Sequence, residues 1–174
     1  MKWLAAGLLL VAAPAAAQQP GWHYSPYPGE GDRAAMGCSD DATPESYACL
    51  AVRCDDDFTV GLYVDTHPDG GDRRRWQLTV DREDVLALAT EPTIGLPYGA
   101  RVAGDDAGRI IERLKNGGIA YLEGFDGGPD GVHRISLGGS LYVINQALYF
   151  CAPRNEPGSA DDSAEEGADA RGDG

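Results

Sequence analysis

Apolar and polar residues alternate along the middle of this chain with the period of a half-buried β-strand, and Gly, Asp and Pro break the alternation every few residues. Tyr47 to Cys54 (YACLAVRC) and Phe58 to Val64 (FTVGLYV) are two such runs, joined by Asp55, Asp56 and Asp57. With Cys54 set opposite Phe58, residues Val52, Leu50 and Ala48 fall opposite Val60, Leu62 and Val64, and all share one face. Matching parity across a short polar loop predicts a hairpin. Arg73 to Val80 (RRRWQLTV) repeats the pattern with Trp76, Leu78 and Val80 on one side, and Val85 to Ala89 follows as its partner after the polar turn Asp81 to Asp84.

Near Asp105 the period changes. Asp105 or Asp106 is placed to cap a helix whose apolar stripe is Ile110, Ile111 and Leu114, and Asn116-Gly117-Gly118 predicts a left-handed end. A strand Ile119 to Glu123, a Gly/Asp/Pro loop from Gly124 to Gly131 and a strand Val132 to Leu137 come next. Ser140 then caps a second helix, with Leu141, Ile144, Leu148 and Cys151 at helical spacing, and Pro153 stops it. These elements predict one α+β domain over residues 33–154: a mainly antiparallel β-sheet or sandwich with two short helices covering one face or end.

The two ends read differently. In residues 1–17, Lys2 is a positive lead, Trp3 to Ala13 an apolar stretch, Pro14 a break, and Ala15-Ala16-Ala17 a small-residue cleavage site, the pattern of a secretory signal peptide. Trp3 to Ala17 offers 15 uncharged residues, short of the roughly 20 that a membrane-spanning helix needs. Cleavage near Ala17 would send the protein to the periplasm or the medium. Residues 18–32 form a lead-in rich in Pro and Gly, with Trp22, Tyr24 and Tyr27 interleaved to pack on the domain's flank or to stack on a sugar or a partner. Residues 155–174 hold no Val, Ile, Leu or aromatic residue and carry seven acids against one base, Arg171. That composition predicts a disordered acidic tail.

Over the whole chain, 174 residues carry 14 Lys and Arg against 28 Asp and Glu, a formal net charge of −14. Such a balance excludes sequence-independent nucleic-acid binding, which relies on cations neutralising phosphates, and adhesion to an anionic lipid surface by charge alone.

Four cysteines in an exported chain predict two disulfides and a disulfide-stapled fold. Cys49 and Cys54 are five residues apart on one predicted strand, so they face opposite ways and do not pair with each other. Cys54 shares the inward face of Leu50 and Val52, and Cys151 shares the stripe of the last helix, which favours Cys54 with Cys151 and Cys38 with Cys49. Cys38 with Cys54 and Cys49 with Cys151 is the competing arrangement. The favoured bridges would contribute about 4 to 5 and about 3 kcal/mol in the chain-entropy model.

Chemistry is sparse. The cysteine gaps lack the paired short knuckles of a structural zinc site, and two bridges leave no thiolate for catalysis. His67, Asp69 and Asp72 lie in a Thr66 to Asp72 loop where turn formation accounts for them, and His133 falls beside Ile135 as a half-buried packing residue. Gly138-Gly139-Ser140-Leu141-Tyr142 lacks the last Gly of a nucleophile elbow. The acids Asp55, Asp56 and Asp57, and separately Asp126 and Asp130, do not follow the EF-hand spacing. Arg73, Arg74 and Arg75 read as a solvated strand end. No catalytic set, metal set or cofactor emerges.

The segment from Arg109 to Leu148, with IIERLKNGGIAYLEG, a Gly-rich loop and VHRISLGGSLYVINQAL, resembles the C-terminal half of the invasion-associated locus B family of small exported proteins of Gram-negative bacteria. The shared pattern is a helix ending in Lys and Gly, two strands, then Ser-Leu-x-Gly leading into a helix with an Ala-Leu. Here it falls on Leu114, Lys115, Gly117, Ser136, Leu137, Gly139, Ala147 and Leu148, about a quarter of the chain. It departs at Ser140, where the family has an aromatic residue, and in the placement of the cysteines. The resemblance implies a periplasmic or surface-associated sandwich without known catalysis.

The functional expectation is therefore a non-enzymatic exported envelope protein that binds an envelope or protein partner through a loop face. Its rivals are a periplasmic hydrolase using loop carboxylates and a small secreted inhibitor with a disulfide-held protruding loop.

Overall fold

The computed structural model describes residues 19–29, 31, 33–67, 75–125 and 131–152. The signal-peptide and tail readings, Asp69, Asp72, Arg73, Arg74, Asp126, Asp130 and Pro153 lie outside these residues. Nine strands form one antiparallel sheet: β1 (Gly21–Tyr24), β2 (Ala34–Cys38), β3 (Tyr47–Cys54), β4 (Val60–His67), β5 (Arg75–Val80), β6 (Leu86–Pro92), β7 (Ala100–Val102), β8 (Ile119–Gly124) and β9 (Val132–Ser136). Helix α1 (Ala107–Asn116) precedes β8, and α2 (Ser140–Leu148) runs into a 3-10 turn at Tyr149–Cys151. This is the α+β class that the periodicity predicts.

The strand order is β1-β2-β3-β4-β7-β6-β5-β8-β9. The sheet curls until its ends approach: the Asp40 N–H donates to the Arg134 carbonyl at 2.9 Å, and the two side chains form an ion pair. Inward side chains of nearly every strand, among them Leu50, Leu62, Trp76, Leu78 and Leu122, share one core with Ile110, Ile111 and Leu114 of α1 and Ile144 and Ala147 of α2. A curled sheet needs such a filling, because an antiparallel sheet with one apolar face must cover it or expose it.

The β3–β4 hairpin forms with Cys54 opposite Val60, not Phe58. Its loop runs from Asp55 to Thr59 because Phe58 leaves the strand with φ 64° and the Asp55 N–H bonds the Thr59 carbonyl. The shift is two residues, so Val52, Leu50 and Val64 keep the expected face. The other face of β2–β4 is also buried: Met36, Cys49, Ala51 and Tyr63 are covered by Tyr98, with Tyr27 and Leu96 packed alongside. Tyr98 is fully enclosed. Gly99, beyond it, has φ 76°, and a Cβ there would fall 2.3 Å from the Val64 carbonyl oxygen.

Three expectations at the helices are corrected. Gly117 is extended (φ −86°, ψ 172°) and not left-handed; the Asp81 carboxylate accepts from the Gly118 and Ile119 N–H groups at 2.9–3.0 Å and leads the chain straight into β8. Asp106 occupies the cap position of α1 but bonds Arg109 instead of the backbone. Ser140 is the first residue of α2, with Gly139 (φ 87°) in the cap position. Its buried hydroxyl donates to the Leu114 carbonyl at 2.7 Å and so ties α2 to α1.

Both disulfides are present, Cys38–Cys49 and Cys54–Cys151. Cys38 and Cys49 are register partners on β2 and β3 with Cα atoms 4.0 Å apart. The second bridge spans 97 residues and fixes the end of the 3-10 turn to the start of the Asp55 loop.

Candidate functional site

Helix α2 buries one side and leaves the other without a cover. Ser140, Ile144 and Ala147 point into the core, whereas Leu141 is 48%, Tyr142 73% and Tyr149 77% exposed. The inward stripe expected for Leu141, Ile144, Leu148 and Cys151 is thus rotated. Ser140 takes the buried position because its hydroxyl has a carbonyl to bond, and Leu141, one residue or about 100° further round, is turned outward. Residues 141, 145 and 149 and residues 142 and 146 recur at the four-residue helical spacing, so they form adjacent rows on the outward face.

These rows line a groove of about 790 Å³, walled by Tyr24, Leu141, Tyr142, Tyr149 and Phe150, with Gly139 at one end and the amides of Asn145 and Gln146 in the floor. No charged side chain lines it. The volume lies within the range of about 300–1,000 Å³ that small-ligand and peptide sites occupy. Tyr24 comes from the lead-in, which supplies β1: Trp22 enters the main core, covering Gly37, where a Cβ would lie 2.3 Å from the indole. Tyr24 packs against that core from its edge and faces the groove.

The titratable groups sit elsewhere, on the outer face of β3 and β4. Asp55 accepts from the Tyr63 hydroxyl at 2.6 Å, Arg53 Nη1 at 3.0 Å and Arg101 Nε at 3.3 Å. Arg53 also reaches Asp56 at 3.2 Å, as does Arg33 at 3.3 Å. Burial, then the bond to Asp55, pushes the Tyr63 hydroxyl up to about 12. Asp57 accepts from the hydroxyl and the N–H of Thr59 at 2.7 and 3.0 Å, and these bonds hold its carboxyl below the ordinary value. The loop carboxylates are accordingly fixed in charge pairs and turn hydrogen bonds.

One carboxyl is different. Asp65 lies behind Gly99, opposite Cys49 on β3, and burial raises its pKa from 3.8 to about 6, partly countered by His67 and by a hydrogen bond from Tyr47. Tyr47 and His67 stack beside it with ring centroids 5.8 Å apart. His133, in β9, is half-buried. Among the described residues no group of three or more His, Cys, Asp or Glu is placed to hold a metal ion.

The groove was hidden from sequence reasoning because Leu141, Tyr142 and Ile144 are equally apolar as letters, and only the tertiary contacts of Ser140 decide which of them turn outward. A usable signal is the absence of any charged residue from Ser140 to Cys151 in a chain that is 24% charged. Comparison with protein-family models, curated proteins and solved structures finds no match.

Proposed function

We propose that this chain is an exported binding protein of the bacterial envelope, acting in the periplasm or outside the cell without a reaction of its own, and that the α2 groove is its recognising surface. The observation that carries this reading is the groove itself: large aromatic and aliphatic side chains held outward on a rigid helix, rimmed by amides and free of charge. Exposed apolar surface of that kind is normally reserved for an interaction, and Tyr-rich walls supply contact area at low entropic cost. Export is supported by the signal-like residues 1–17 and by two disulfides, which persist in oxidising compartments. No helix among the described residues is long and apolar enough to cross a membrane. The likeness of Arg109 to Leu148 to the invasion-associated locus B family points the same way.

Affinity capture from envelope extract tests the proposal when the wild-type protein is compared with Leu141→Asp/Tyr149→Ser. Both residues are exposed, so the double variant should unfold within about 0.5 kcal/mol of wild type per site while losing the captured partner. Recovery of the same partner by both proteins would place recognition elsewhere.

A second reading, a small enzyme inhibitor, has one observation in its favour. Phe58 protrudes from the Asp55–Thr59 loop, 58% exposed and at φ 64°, directly beside the Cys54–Cys151 bridge. A bulky residue in the left-handed region is uncommon, and such strain often accompanies function.

A further inference from the structure

We propose that the α2 groove takes a cationic amphipathic peptide segment, with its apolar side chains in the groove and its Lys or Arg side chains toward the C-terminal end of the helix. This rests on the binding reading above and adds the chemistry of the partner.

The groove accounts for the apolar half of the ligand. Its walls are Tyr24, Leu141, Tyr142, Tyr149 and Phe150, and Asn145 and Gln146 offer amide donors and acceptors between them. Amides in the floor suit a ligand that brings backbone N–H and C=O groups along with its side chains.

The charge next to the groove accounts for the other half, and the Cys54–Cys151 bridge puts it there. Cys151 follows Phe150 directly, its sulfur lies 3.4 Å from the Thr59 carbonyl oxygen, and its disulfide partner immediately precedes Asp55, Asp56 and Asp57. Asp56 is 83% exposed at the side chain. The chain also continues from Ala152 into the segment with seven acids and one base, so those carboxylates are tethered to the same end of the groove. Tethering sets their effective concentration at that end regardless of the path the segment takes. An uncharged apolar groove with acids gathered at one end is complementary to a peptide that is apolar along its length and basic at one side. A second copy of this chain brings the same net charge of −14, and an anionic lipid headgroup would meet repulsion there.

Fluorescence anisotropy on the protein with both disulfides intact tests this with three labelled peptides of equal length: one of alternating Leu and Lys, one with Glu for Lys, and one with Ser for Leu. Saturable binding is expected for the Leu/Lys peptide alone, weakened on the order of tenfold by Leu141→Asp/Tyr149→Ser, as for loss of an aromatic anchor. It should also weaken severalfold in Asp56→Asn/Asp57→Asn, whose amides retain the loop hydrogen bonds, and in salt on the order of 1 M, where the screening length is about 3 Å. Equal binding of the Leu/Glu peptide, with the groove variant still defective, would overturn the cationic partner while leaving the groove as a binding surface. Equal binding to wild type and groove variant, or no binding of any peptide, would overturn this inference. So would a concentration-dependent dimer that the groove variant dissolves and the Leu/Lys peptide does not compete with.

Discussion

The Ser140 hydroxyl donates a 2.7 Å hydrogen bond to the carbonyl of Leu114, joining the start of α2 to the last turn of α1. The last four carbonyls of a helix lack partners within it. Leu114 would ordinarily meet the N–H of Gly118, which here is taken by Asp81. Ser140→Ala leaves that carbonyl buried and unsatisfied, with an expected loss of about 1–3 kcal/mol. Urea unfolding monitored by tryptophan fluorescence reads it, and an unchanged midpoint would mean that water replaces the hydroxyl.

The two disulfides should contribute unequally. In the chain-entropy model, closing 97 residues is worth about 4 to 5 kcal/mol and closing 11 about 3. Cys54→Ala/Cys151→Ala should therefore lower the denaturation midpoint more than Cys38→Ala/Cys49→Ala. It should also loosen Tyr149 and Phe150, because the bridge fixes the turn that carries them. The reverse ranking would show that local packing around the Cys38–Cys49 pair outweighs loop closure.

Asp65 predicts stability that rises as the pH falls. Its folded pKa of about 6 lies above the ordinary 3.8, so between those values the folded state holds a proton that the unfolded state has released. Linkage then makes unfolding harder as pH drops from about 6 to about 4, by up to about 3 kcal/mol, and the benefit is lost again as pH climbs through 6. Asp65→Asn should be more stable than wild type at neutral pH and should flatten that part of the curve. Parallel curves for the two proteins across this window would remove Asp65 as the source.

Phe58 offers a test of function against stability. At φ 64° a Gly relieves backbone strain of about 1–2 kcal/mol, set against its own greater entropy in the unfolded chain. Phe58→Gly is thus expected to be neutral or slightly stabilising in thermal denaturation. If the protruding loop serves as an inhibitor, the same variant loses inhibition while keeping the fold. A marked drop in melting temperature would instead identify Phe58 as a packing residue.

Gly99→Ala should be among the more damaging single changes. The new Cβ meets the backbone oxygen of Val64 at 2.3 Å in a residue already at φ 76°, so the segment carrying Tyr98 must shift off Tyr63. A cost of about 2 kcal/mol or more is expected, read as a lowered midpoint in urea. A near-normal midpoint would show that the segment moves without loss of the second core.

Much of the architecture was legible along the chain because local periodicity reports which residues need burial. Alternation in Tyr47 to Cys54 and in Trp76 to Val80 marks strands whose inward sets are the ones found, since a register shift of two residues leaves the faces unchanged. Parity also separates Cys49 from Cys54. Periodicity does not say what lies opposite a face. The pairing of β5 with β8 across 40 residues of chain, the three-residue β7 inserted between β4 and β6, and the covering of Cys49, Ala51 and Tyr63 by Tyr98 all depend on distant segments.

The last helix shows the division most plainly. Its existence follows from Leu141, Ile144, Leu148 and the charge-free run around them, because such residues at helical spacing form an amphipathic helix. Its rotation does not. Ser140 bonds a carbonyl of α1 that only the folded chain presents, and that bond turns Leu141 and Tyr142 toward solvent. Apolar periodicity thus specified a helix, and a single buried hydrogen bond between two helices decided which of its apolar residues became core and which became a surface open to a partner.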